Sequence, residues 1–80
     1  MSERAKLRWR CRRGMKELDV VLLAYLERRY DQAPADEQQC FAALLDRQDP
    51  QLLSYLLGRE APTDATTAHV VDYLRNILNA

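Results

Sequence analysis

Met15-Lys16-Glu17-Leu18-Asp19-Val20-Val21-Leu22-Leu23-Ala24-Tyr25-Leu26-Glu27-Arg28-Arg29-Tyr30 decides the fold class. Met15, Leu18, Leu22, Tyr25, Leu26 and Arg29 recur at three- and four-residue steps, which places them on one side of an α-helix. Glu17 and Asp19 suit the positive end of the helix dipole, and Arg28 and Arg29 suit its negative end. The stretch therefore predicts an amphipathic helix from about Met15 to Tyr30, with its direction written into its charges.

The same periodicity continues downstream. Pro34 ends the preceding helix within the loop 31–36. A third helix is expected from about Asp36 to Arg47, with Cys40, Phe41, Leu44 and Leu45 facing inward. Asp49-Pro50 reads as an N-cap followed by Pro at the first helical position, opening a fourth helix to Leu57. That helix presents Leu52, Leu53, Leu56 and Leu57, and Gly58 stops it in a left-handed cap. Pro62-Thr63-Asp64 breaks and caps the chain again. A fifth helix follows from about Ala65 to Leu78, aligning Val70, Leu74, Ile77 and Leu78.

Upstream, residues 4–12 suit a short first helix with Leu7 and Cys11 on one face and Arg8 and Arg12 on the next. No stretch shows the alternation of a strand with β-branched enrichment. The expectation is an all-α single domain over residues 1–80, a compact antiparallel bundle of five short helices.

Between the first two helices lies Arg12-Arg13-Gly14-Met15-Lys16-Glu17. Gly14 is one of only two glycines. Glycine is costly inside a helix and favoured where the backbone turns or another surface must come close. The sequence leaves open whether Gly14 is a helix C-cap or a point of close approach. It also leaves open whether the first helix runs on into the second.

Charge is balanced overall and divided along the chain. Residues 1–17 hold seven Lys/Arg and two Glu, and residues 18–80 hold five and ten, so a head of +5 precedes a body of −5. Such separation steers encounter with a partner of complementary potential. Arg and Trp are enriched at interface hot spots, and Trp9 sits within the basic head. A solvated helical face is the bland alternative for the head, core packing for Trp9, and dipole compensation for Glu17.

Catalytic inventory is thin. His69 is the only histidine, without metal-ligand or base spacing around it. Ser2 and Ser54 lack a nucleophile-elbow context. Gly14 and Gly58 are too isolated to form a phosphate-binding loop. Cys11 and Cys40 make no CxxC pair and read as small buried thiols of a reducing compartment. No apolar run approaches the roughly 18–20 residues of a membrane span. The basic start runs directly into the first long helix, so no removable prefix is expected, and a bacterial cytoplasmic protein fits best. The four tyrosines read as core and boundary residues.

Cys11-Arg12-Arg13-Gly14-Met15-Lys16-Glu17-Leu18-Asp19 resembles the signature of the succinate dehydrogenase assembly factor (flavinator) family, whose hallmark is Arg-Gly-x-x-Glu. Trp9 stands two residues before the cysteine, as in bacterial members. Residues 41–56 are similar to the family's second block, an aromatic-x-x-Leu-Leu run leading to Asp49-Pro50-x-Leu52, which often carries Trp where this chain has Tyr55.

The resemblance implies a non-enzymatic assembly factor that binds the flavoprotein subunit of succinate dehydrogenase, and of fumarate reductase in some bacteria. It promotes covalent attachment of FAD to a histidine of that subunit and holds no cofactor stably itself. By the same resemblance Arg13, Gly14 and Glu17 form the contact surface. Trp9 and Arg12 are added to it from their position in the basic head. The competing reading is a small nucleic-acid-binding or antitoxin-like regulatory protein using the basic head. Zero net charge and the acidic body weigh against a polyanion.

Overall fold

A computed structural model describes residues 2–79. Five α-helices follow in order: α1 (Glu3–Arg10), α2 (Lys16–Arg28), α3 (Ala35–Leu44), α4 (Asp49–Leu56) and α5 (Ala65–Leu78), with a single 3₁₀ turn, Tyr30–Gln32, after α2. Among the described residues there is no strand. The all-α expectation holds.

α5 is the hub, packing on α3, α2 and α4, while α1 rests on α2. The stripe read from the sequence is the centre of the core. Leu18, Leu22, Tyr25 and Leu26 of α2 are fully buried, together with Val21. Leu7 and Cys11 close the core from the α1 side, as their i, i+4 spacing predicts. Tyr25 stacks on Phe41 with centroids 4.3 Å apart and meets Tyr73 edge-on at 5.5 Å.

That aromatic centre carries one buried charge. Glu37 is 4% exposed. It accepts from the Tyr25 hydroxyl at 2.5 Å and from Arg29 Nε and Nη2 at 2.9 and 3.0 Å. The Arg29 hydrogen bond outweighs burial and holds the Glu37 carboxyl down at about 2. A buried charge is tolerated when it is paired and its lone pairs are filled.

Local signals placed two ends correctly. Gly58 is left-handed at φ 76°, and Asp64 caps α5 by accepting from Thr67 N at 2.8 Å. Other boundaries differ for tertiary reasons. α1 stops at Arg10, so Arg12 lies outside it, and α2 begins at Lys16. Tyr30 belongs to the 3₁₀ turn, where its carbonyl accepts from Gln38 Nε2 at 2.7 Å. α3 spans Ala35–Leu44 rather than 36–47, because the carbonyls of Leu45 and Arg47 turn toward the Arg13 guanidinium. Gln48, not Asp49, is the N-cap of α4, and the Asp49 carboxylate is spent on Arg13 instead. Cys40, Leu53 and Ile77 are half-buried, and Leu57 and Leu78 are exposed, where inward positions were expected. Each lies at the flank or end of its helix, where the bundle has no further layer to cover it.

Candidate functional site

The α1–α2 connection is built residue by residue from opposing demands. Cys11 is fully buried, and its backbone N–H donates to Leu7 O at 3.0 Å to finish α1. Burial pushes its thiol up to about 11, out of the range of a working nucleophile. Arg12 then turns outward, its guanidinium lying over the Trp9 ring at 5.5 Å.

Arg13 turns inward. Its backbone N–H donates to Asp19 Oδ1 at 2.7 Å, so the first turn of α2 reaches back to fix the loop. Its guanidinium donates to Asp49 Oδ1 at 2.9 Å, to Leu45 O at 2.9 Å, to Arg47 O at 2.5 Å and, at 3.4 Å, to Arg10 O. The side chain is only 16% exposed. A planar fork of donors matched to one carboxylate and several carbonyls is a geometry that lysine cannot copy.

Gly14 follows with φ +83°, exposed, and with nothing within 4 Å of where a Cβ would stand. Glycine is needed here for its backbone angle, since other residues lose about 1–2 kcal/mol in this region. The space above it is free for another molecule's backbone. Met15 is extended and packs against the core, and α2 starts at once. Glu17, in its first turn, is exposed and has no ion-pair partner among the described residues.

The expected site residues therefore separate into two kinds. Gly14, Glu17, Arg12 and Trp9 are exposed, and Trp9 at 64% is the most exposed large apolar side chain among the described residues. Arg13 is a clamp that joins their loop to the α3–α4 connection. Trp9 and Arg12 line one shallow depression of about 190 Å³ with Ala5 and Arg8. Glu17 lines a second, of about 360 Å³, between α2 and α5. Val20 and Leu78 also line that second depression; Val20 lies off the α2 stripe read from the sequence, and Leu78 was expected on the α5 apolar stripe.

The basic head is sewn to the acidic body. Arg4 pairs with Asp31 at 3.3 Å, Arg8 with Glu27 at 2.5 Å, and Arg10 with Asp46, while Arg13 holds Asp49. Lys6 faces Glu3 at 3.8 Å. Of the seven basic residues in the head, Arg12 and Lys16 have no ion-pair partner among the described residues. His69 is exposed, with Nε2 3.5 Å from Glu37 Oε1. Among the described residues no group of three or more His, Cys, Asp and Glu is placed to hold a metal. No helix there is long and apolar enough to cross a membrane.

The model of a family described as "Flavinator of succinate dehydrogenase" matches residues 5–78. A relative from Methylococcus capsulatus named FAD assembly factor SdhE is 44% identical over 78 residues, covering 98% of this chain and 94% of the relative. Proteins of the same name from Photobacterium profundum and Vibrio vulnificus are 41% and 40% identical over 71 residues, covering 89% of this chain and 81% and 83% of theirs.

Proposed function

The chain belongs to the family of flavinators of succinate dehydrogenase, and on that premise we propose that it is a non-enzymatic assembly factor. It docks on the flavoprotein subunit of succinate dehydrogenase and promotes covalent attachment of FAD there. The flavoprotein subunit of fumarate reductase is the second partner the family resemblance implies. The observation that carries the reading is Gly14: left-handed, exposed and open above, on a loop pinned from below by Arg13 and Asp19.

Rigidity is what such a surface needs. A preorganised loop loses little entropy on binding. The chemistry belongs to the partner, whose own histidine accepts the FAD. This chain's role is to bind the flavoprotein arrangement that reacts better than the others. Favouring that arrangement tenfold takes about 1.4 kcal/mol of differential binding. A charge-assisted contact from Glu17 or Arg12 has that strength. FAD stays with the partner in this reading, because the two glycines stand in separate turns and build no loop of N–H donors for a pyrophosphate.

The intramolecular pairing of the head favours a protein partner over nucleic acid. A phosphate backbone would have to compete with Asp31, Glu27, Asp46 and Asp49 for the same arginines. The test is covalent flavin on the flavoprotein subunit, read by in-gel fluorescence with wild-type and Gly14→Arg protein. Loss of signal with a folded Gly14→Arg chain is expected. Undiminished flavinylation by that folded variant would sink the docking surface.

A further inference from the structure

Glu17 stands at the mouth of an apolar depression that the docking reading does not require. Val20 and Val21 of α2 and Ile77 and Leu78 of α5 line it, with Lys16 and Glu17 on its rim. Val21 turns fully inward, but Val20 is 55% and Leu78 37% exposed. These are two of the four exposed large apolar side chains among the described residues, and they share one groove. Isolated exposed apolar residues are ordinary, whereas apolar residues from two helices that line one depression offer a seat for an apolar side chain.

The rim of the groove carries one cation and one anion, Lys16 and Glu17. Neither Lys16 nor Glu17 has an ion-pair partner among the described residues. Glu17 is one helical turn before Val20 and Val21, so a side chain seated in the groove would bring its neighbours against the Glu17 carboxylate. A ligand rich in polar atoms is poorly served here, since the groove walls are aliphatic.

We propose that the α2–α5 groove receives an apolar side chain of the flavoprotein subunit, flanked by a Lys or Arg that pairs with Glu17 and an Asp or Glu that pairs with Lys16. The inference rests on the docking reading above and extends its contact surface from the α1–α2 loop to the C-terminal turn of α5. Val20 and Leu78 are then binding residues, and Glu17 selects for a cationic neighbour.

The experiment measures affinity for the purified succinate dehydrogenase flavoprotein subunit lacking covalent FAD, by titration calorimetry. Val20→Lys and Leu78→Gln are each expected to weaken binding about tenfold, as is Glu17→Gln. Leu57→Gln, an exposed apolar residue of α4's end that does not line the groove, is expected to leave affinity within about twofold. Circular dichroism checks each fold, and Val20→Ala replaces Val20→Lys if the latter does not fold. Unchanged affinity with folded Val20 and Leu78 variants, while Gly14→Arg abolishes binding, overturns the groove and leaves the docking loop standing. Unchanged affinity with all three overturns both. Dimerisation of the chain alone by light scattering, abolished by Val20→Lys, assigns the groove to a second copy and also overturns the proposal.

Discussion

Arg13 Nε lies 2.9 Å from Asp49 Oδ1, tying the loop after α1 to the first turn of α4 across 36 positions of sequence. The same guanidinium takes the Leu45 and Arg47 carbonyls, so the α3–α4 connection is organised around one side chain. The first residue of the Arg-Gly-x-x-Glu signature thus faces the protein's own interior.

Replacing Arg13 should therefore act on stability before it acts on binding. Arg13→Ala leaves Asp49 and the carbonyls of Leu45, Arg47 and Arg10 without this donor and is expected to cost about 2–3 kcal/mol. Arg13→Lys should recover only part, because an ammonium cannot span these acceptors together. Thermal melts followed by circular dichroism measure both. A melting temperature unchanged in Arg13→Ala would show that the clamp contributes nothing.

Gly14 allows backbone and surface effects to be separated. Gly14→Ala meets no atom but must hold φ near +83°, and should cost about 1–2 kcal/mol. Gly14→Arg should cost a similar amount in stability yet lower flavinylation far more than Gly14→Ala. Urea midpoints set beside flavin fluorescence for the two variants check this difference.

Glu37 predicts acid sensitivity. Its carboxyl is depressed from 4.5 to about 2 in the folded protein, chiefly by the Arg29 hydrogen bond. A depressed carboxyl stabilises the fold above its unfolded pKa and releases that stability as pH falls through the folded one. Stability should thus decline from about pH 4.5 toward pH 2 in wild type. Glu37→Gln should be less stable at neutral pH and show a shallower decline, as measured by denaturant midpoints across that range.

The two thiols should react in a fixed order. Cys11 is fully buried and its thiol is pushed up to about 11, whereas Cys40 is half-buried. Native protein treated with iodoacetamide is expected to be alkylated at Cys40 first, with Cys11 following only on unfolding. Peptide mass mapping of a time course reads the order directly.

The sequence reached some of this without help. The α2 stripe, the Gly58 stop and the Asp64 cap are written in periodicity and in residues with local backbone preferences, whereas the separation of α1 from α2 around Gly14 is not. Their physics lies within a turn or two of helix, so neighbouring residues suffice to read it. The resemblance of residues 11–19 and 41–56 pointed to the right family for a related reason, since both blocks are contiguous runs.

The rest required the chain to be folded. Trp9 as core or surface, Asp49 as cap or clamp, and Glu37 as helix-start acid or buried ion-pair partner are each undecided by their neighbours. Asp49 is claimed by Arg13 and Glu37 by Arg29 and Tyr25, residues of other segments, and Trp9 is left uncovered by the bundle. Arg13 reaches Asp49 and Arg10 reaches Asp46, and Val20 and Leu78 line one depression, because α5 gathers α2, α3 and α4 and α1 rests on α2. The sequence by itself determined five helices and placed Gly14 between the first two without deciding whether they join, because hydrogen bonds within a helix are local. Tertiary structure alone decided that the arginine beside that glycine points inward and the glutamate beyond it outward, because the acceptors that claim Arg13 lie on the α3–α4 connection and nothing on the packed bundle claims Glu17.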